Sequence, residues 1–313
     1  MRLTNCIHPR RARPLPMLNR KFSSQLPTIK IQDVPAPNTG RIRILSLQLL
    51  NELSGAVDEI HAEYDKNGQE RPVSEWRTNG TQTHVQGPTR AMILTIPLSI
   101  LIPIVSYIST PRLTMANRTT AFLARLRQTF TSLSLLPIPS ITAISGRALG
   151  GGLELALCTH LRVFASTAEV GLPETRLAII PGAGGTYRLP ALIGLARARD
   201  LILTGRRVSA AEAYFLGLAD RLVEVEARDG PPATAASADL LARARPLVLR
   251  EAQRLATEIC EGGPVAVRTA LQAVTWAREE VEQEMYERVL DTQDRNEALQ
   301  AFVEKRRPIY SGK

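Results

Sequence analysis

Two glycine-rich turns set the limits on how this chain can fold. Gly150-Gly151-Gly152 stands directly before the apolar run Leu153-Glu154-Leu155-Ala156-Leu157, and Pro181-Gly182-Ala183-Gly184-Gly185-Thr186 leads into a second helical stretch. Short apolar runs precede both turns. Strand, glycine turn and helix recurring in this way predict an α/β core.

The rest of the chain fits that frame. Residues 41–47 alternate and read as a strand, and 48–67 carry Leu49, Leu50, Leu53, Val57 and Ile60 at helical spacing. Residues 91–96 predict a second strand, 119–133 a helix, 139–144 a short buried strand ending near a turn at Gly146, 153–161 an apolar helix and 162–165 another strand. Ser209-Ala210-Ala211-Glu212 is a capping box and Gly217 a stop, so 210–216 reads as a short helix, followed by a strand over 218–225. From about 235 the pattern is helical, divided by Gly262-Gly263-Pro264. The expected division is a leader over 1–30, a core over 40–235 and a helical C-terminal region over 236–313. Inside the core, 66–89 is a polar insertion and 97–117 follows no regular pattern.

The net charge of +9 raises the question of nucleic acid, but its distribution answers it. Residues 1–32 hold seven basic residues and no acid, so +7 of the +9 lies there and +2 remains for the rest. An Arg-rich, acid-free N-terminus has the composition of a mitochondrial transit peptide, with cleavage expected near residues 22–30. The arginines of the later helical stretch, Arg243, Arg245, Arg250 and Arg254, sit among Glu251 and Glu258 and read as a solvated face. No nucleic-acid partner is expected. The apolar run 96–108 is shorter than the roughly 20 residues of a membrane span and is broken by Pro97 and Pro103, so no membrane partner is expected either. Four scattered histidines without ligand spacing argue against a metal site, and three scattered cysteines argue against a disulfide framework.

The chemistry concentrates at the two turns. Backbone N–H groups at Gly150-Gly151-Gly152 are free of side chains and suit a developing oxyanion, although glycine there also permits simple close packing. Glu154 sits among apolar neighbours, and a buried carboxylate is costly unless it is paired or functional. Its bland partners would be Arg162 or Arg147. Glu174, in Gly171-Leu172-Pro173-Glu174, reads by itself as an exposed loop acid. Two acids converging on one water would allow paired general acid–base work. A phosphate cradle at 181–186 lacks the expected lysine pattern.

Gly146 to Leu157 (GRALGGGLELAL), then LRVFASTAEVGLPETRLAIIPGAGGTYRLPALIG, LTGRRVSAAEAYFLGLADRLV and the ending ALQAFVEKRRPIYSGK resemble the crotonase superfamily, the enoyl-CoA hydratases and isomerases. Within it, LAIIPGAGGT and RRPIYSGK look most like methylglutaconyl-CoA hydratases. The resemblance covers roughly 119–313. It implies a spiral of ββα turns, a helical trimerisation region and a homotrimer or homohexamer in the mitochondrial matrix. It implies hydration of a short enoyl-CoA, with 3-methylglutaconyl-CoA of leucine breakdown as the nearest substrate, and no cofactor beyond the CoA of the substrate. Glu154 and Glu174 would be the catalytic acids, Gly151 with Gly150 would hold the thioester oxygen, and the Gly182 N–H would place the water.

Two stretches depart from the family. The NRPxxxNAL-like segment that contacts CoA is skipped at 48–53, and no CAGADLKE-like loop, source of the second oxyanion donor, appears within 97–117. These departures leave three accounts of the chain: a hydratase or isomerase, a catalytically impaired homologue serving as a partner subunit, or an intact hydratase whose written sequence carries a mis-spliced stretch.

Overall fold

The computed structural model of the chain describes residues 30–35, 41–46, 50–65, 68–71, 88–96, 115–226 and 233–313. Strands β1 (Lys30–Pro35), β2 (Arg41–Ser46), β3 (Thr89–Ile96), β4 (Ser140–Ile144), β6 (Leu161–Ala165) and β9 (Arg221–Val223) lie side by side in that order. A smaller sheet takes β5 (Arg147–Leu149), β7 (Glu169–Gly171) and β8 (Arg207–Ser209). Within the larger sheet β1 runs antiparallel to β2 and every other pair is parallel. Parallel neighbours need long crossovers. Helix α1 (Leu50–Ala62) precedes β3, and α2 (Met115–Ser134) precedes β4.

A parallel strand is covered on both faces and so reads as a continuous apolar run. In β3, Met92 and Leu94 enter one core with Leu53, Val57 and Ile60 of α1 and Phe130 and Leu133 of α2. Ala91 and Ile93 face the other way, with Ile141 and Val163, onto α7 (Ala233–Cys260). That helix presents Ala244, Val248, Ala252 and Ala256 at four-residue spacing, a stripe small enough to lie close on the sheet. Helices α8 (Pro264–Trp276), α9 (Glu279–Leu290) and α10 (Gln293–Glu304) complete the helical C-terminal region.

Ile96 of β3 pairs with Ile144 of β4, and Ile144 with Phe164 of β6. The chain therefore leaves β3 from the same sheet edge at which Ser145 leads to β5 and the first glycine turn. What 97–114 does there lies outside the described residues, as do 1–29 and 72–87. These spans hold the expected leader and most of the two irregular segments.

Several expectations are corrected. A strand, β1, occupies Lys30–Pro35, taking in the last residue of the expected leader and the stretch before the core. The helix expected over 153–161 is α3 (Gly151–Ala156) and stops early. Cys158 N and Thr159 N bond back to Leu155 O and Ala156 O, three residues each, and Thr159 Oγ1 donates to Ala156 O at 2.8 Å. That tightened last turn ends the helix and frees Leu161 to begin β6. The stretch after the second glycine turn is two helices, α4 (Gly185–Ile193) and α5 (Leu195–Thr204), parted at Gly194. Helix α6 (Ala210–Phe215) is capped as expected, with Ser209 Oγ accepting from Glu212 N at 3.2 Å.

Candidate active site

The first glycine turn joins β5 to α3. Gly150 has φ 55°, a conformation that favours glycine, and its N–H donates to Gly171 O at 2.9 Å. That bond ties the end of β5 to the end of β7. The expectation that Gly150 would share in holding an oxyanion is thus corrected, because its amide is engaged in the backbone. Gly151 and Gly152 open α3, and the first amides of a helix have no carbonyl four residues back to bond. With six residues in α3, the donor geometry of these amides matters more than a long helix dipole.

Glu154 lies one turn further and is 3 % exposed. Its Oε1 accepts from two backbone amides of the second glycine turn, Ala183 N and Gly185 N, each at 2.8 Å. Burial raises its pKa above the ordinary glutamate value. The two amides oppose that rise, as do the charges of Arg188 and Arg127. The bland partners read from sequence are occupied elsewhere: Arg162 Nη2 pairs with Asp220 Oδ2 at 2.9 Å and Arg147 Nε with Glu169 Oε2 at 2.9 Å. Among the described residues Glu154 forms no ion pair.

The second turn is held from outside by arginines. Arg127 of α2 donates through Nε to Gly182 O at 2.7 Å. Arg188 of α4 donates to Ala183 O at 2.9 Å and to Ser134 Oγ at 3.2 Å, and its guanidinium stacks over the Tyr187 ring. Gly182, expected to steer a water through its amide, here contributes its carbonyl to Arg127. The amides on Glu154 come from Ala183 and Gly185, which the sequence reading passed over. A Cβ at Gly185 would meet Leu172 Cδ1 at 2.9 Å and Glu154 Oε1 at 3.2 Å, so only glycine brings that amide to the carboxylate.

Glu174 is not the exposed loop acid it resembles in isolation. It sits in a 3-10 helix, Pro173–Leu177, and is 8 % exposed. Thr175 Oγ1 donates to Ile202 O at 2.9 Å and Arg176 Nε to Thr204 O at 2.9 Å, pinning the 3-10 helix to α5. Glu174 Oε2 is buried with no hydrogen-bond partner. Burial, with a smaller contribution from the Glu154 charge, pushes its pKa up to about 7. The two carboxyls therefore feel one another, and their surroundings differ: one has two amide donors on a single oxygen, the other an orphaned oxygen. Such asymmetry separates a group that ionises from one that keeps its proton.

Outside this site, Arg254 of α7 is bound by Glu251 and Glu258 and Glu258 also reaches Arg221, as expected of a solvated face. No helix of the described residues is long and apolar enough to cross a membrane.

Comparison with known proteins fits this geometry. The enoyl-CoA hydratase/isomerase family model matches residues 112–313. The match begins inside the irregular 97–117 stretch. Methylglutaconyl-CoA hydratase 1, mitochondrial, of Pyricularia oryzae is 52% identical over 305 residues, covering 92% of this chain and 87% of that protein. An enoyl-CoA isomerase/hydratase of Zymoseptoria tritici is 50% identical over 309 residues, covering 94% and 92%. The crystal structure of an enoyl-CoA hydratase from Bacillus anthracis superposes with a TM-score of 0.67 at 33% identity, covering 90% of this chain and 99% of that one.

Proposed function

The chain belongs to the enoyl-CoA hydratase/isomerase family as an enoyl-CoA hydratase-like lyase, and on that premise we propose that it adds water across the 2,3 double bond of a short enoyl-CoA, with 3-methylglutaconyl-CoA the favoured substrate. The observation that carries the reading is the unequal treatment of two neighbouring buried carboxyls. Glu154 is clamped by two amides and ionises more readily. Glu174, with an orphaned oxygen and a pKa near 7, holds a proton to give.

In this mechanism Glu154 takes a proton from water as the oxygen bonds to Cβ. The π electrons pass through Cα toward the thioester oxygen. The Gly151 N–H, at the start of α3, stabilises the developing negative charge there. Glu174 then delivers its proton to Cα, leaving a 3-hydroxyacyl-CoA. The motif that carries a second oxyanion donor in the family is not recognisable in the sequence after Ile96. One such donor is worth about 2.7–4 kcal/mol, roughly a hundred- to a thousand-fold in rate. The reaction draws on no cofactor beyond the CoA of the substrate.

An isomerase moves one proton between two carbons of the same substrate and needs no base for water. The presence of a second buried carboxyl, Glu154, beside Glu174 therefore favours hydration over the isomerisation that the Zymoseptoria relative's name also includes.

The basic, acid-free first 32 residues and the mitochondrial name of the Pyricularia relative support a mitochondrial protein, and we infer that it works in the matrix. Val274, Trp276, Phe302 and Val303 are exposed apolar side chains on α8 and α10, each at least 60 % accessible. Such side chains suit burial between copies in a homotrimer or a pair of trimers. The substrate proposal is tested by kcat/KM on 3-methylglutaconyl-CoA and on crotonyl-CoA. The former should be favoured by at least tenfold, and preference for crotonyl-CoA would remove the leucine-breakdown assignment.

A further inference from the structure

Arg127 has no place in the acid–base scheme, yet it touches the peptide that matters most to it. A trans peptide points its C=O and N–H in opposite directions, and no cis peptide occurs among the described residues. The Gly182 carbonyl and the Ala183 N–H belong to one peptide unit. Arg127 Nε grips the carbonyl end at 2.7 Å, and the amide end donates to Glu154 Oε1 at 2.8 Å. A cation, a peptide dipole and a carboxylate thus stand in series. The next carbonyl, Ala183 O, is held by Arg188 at 2.9 Å. Two successive carbonyls of the turn are thus held by arginines, while the Ala183 and Gly185 amides converge on Glu154.

We propose that Arg127 is a positioning residue for Glu154: by gripping the Gly182 carbonyl it fixes and polarises the peptide whose N–H holds the general base. The proposal rests on the hydratase reading for its consequence in catalysis, but its physical content is the ionisation of Glu154. Hydrogen bonds in series polarise one another, and a donor held in place costs no reorganisation when the carboxylate charges.

The charged and titratable groups facing Glu154 are Arg127 from α2, Arg188 from α4, Glu174 from the 3-10 helix and Cys158, whose Sγ donates to Glu154 O at 3.1 Å. Cys158 is neutral at ordinary pH, its pKa pushed up to about 12 by burial. The two arginines favour ionisation of Glu154, and burial opposes it. Arg127 is exposed and lies on the surface of α2, so it can be changed without opening the core.

The test reads Glu154 directly, by carboxyl carbon NMR of the full chain labelled at glutamate Cδ, with the signal assigned by its loss in Glu154→Gln. In Arg127→Gln the Glu154 titration should move upward, and Arg127→Lys, which restores charge and donor, should bring it back toward the parent. In parallel, the acid limb of the kcat/KM profile in Arg127→Gln should shift upward, with kcat at neutral pH falling about tenfold and KM unchanged. An unmoved Glu154 titration in Arg127→Gln overturns the proposal, whatever happens to melting temperature. An inactive parent would sink the hydratase reading instead and leave the NMR titration to decide this one.

Discussion

The Gly185 N–H donates to Glu154 Oε1 across 2.8 Å, and a Cβ placed at Gly185 would stand 3.2 Å from that same oxygen. Glycine is what allows the second turn to serve the first. Gly185→Ala would also press on Leu172 Cδ1 at 2.9 Å and Pro181 Cβ at 3.0 Å. The expected cost is about 1–3 kcal/mol of stability, the usual range for overpacking. A kcat loss of tenfold or more should accompany it, because the amide no longer reaches the base. Denaturant unfolding and steady-state kinetics of the variant check both.

Glu174→Gln should stabilise the protein at alkaline pH while abolishing turnover. The folded chain keeps the Glu174 proton up to about pH 7, whereas an unfolded chain releases it near about 4.3. Between those values the native state binds more protons, so this group's contribution falls as pH rises from about 4.3 to about 7 and is constant beyond. The glutamine variant escapes that loss. Its melting temperature should exceed the parent's at about pH 8, by the equivalent of roughly 1–3 kcal/mol. Below about pH 3 this pH-dependent difference should be gone, since the glutamate is then neutral in both states.

The same group sets the pH dependence of the forward reaction. Glu174 must enter protonated to serve Cα, so kcat/KM for hydration should decline as pH rises through about 7. Glu174→Asp shortens the reach without removing the acid and should retain a basic limb, with kcat lowered about a hundredfold. A profile flat from about pH 6 to 9 in the parent would remove Glu174 from the acid role.

Thr175 holds the 3-10 helix through its bond to Ile202 O. Thr175→Val leaves that carbonyl unpaired at a cost of about 1 kcal/mol. Because the residue is next to Glu174, kcat should drop several-fold with KM little changed. A variant that loses stability but keeps full kcat would show that the 3-10 helix positions Glu174 without this tether.

Much of this was legible in the sequence because it depends on local rules. The alternation of 41–47 became β2, the Ser209–Glu212 capping box became α6, and Gly262-Gly263-Pro264 separated α7 from α8. Glu154 stood out because a carboxylate in an apolar helix has to be explained. The three-residue strands β5, β7 and β8 were missed because their pairing is set by distant partners and not by their own periodicity. Glu174 looks like a surface acid until Thr175 and Arg176 are seen reaching α5, which no spacing within the 3-10 helix reveals. Ala183 carries its function in its backbone, so its side chain gives no signal. The one available hint was that a turn of Gly-Ala-Gly-Gly exposes amides. Arg127 stands among other polar residues of α2, and only the packing of that helix against the second turn distinguishes it.

The central claim is that Glu154 and Glu174 together hydrate an enoyl-CoA, and single-turnover hydration of crotonyl-CoA by the parent, Glu154→Gln and Glu174→Gln tests it most directly. The account predicts a competent parent and a loss of a hundred- to ten-thousand-fold in each variant, with the acyl-CoA still bound. A folded parent that binds the acyl-CoA but adds no water, or variants that match the parent's rate, would contradict it.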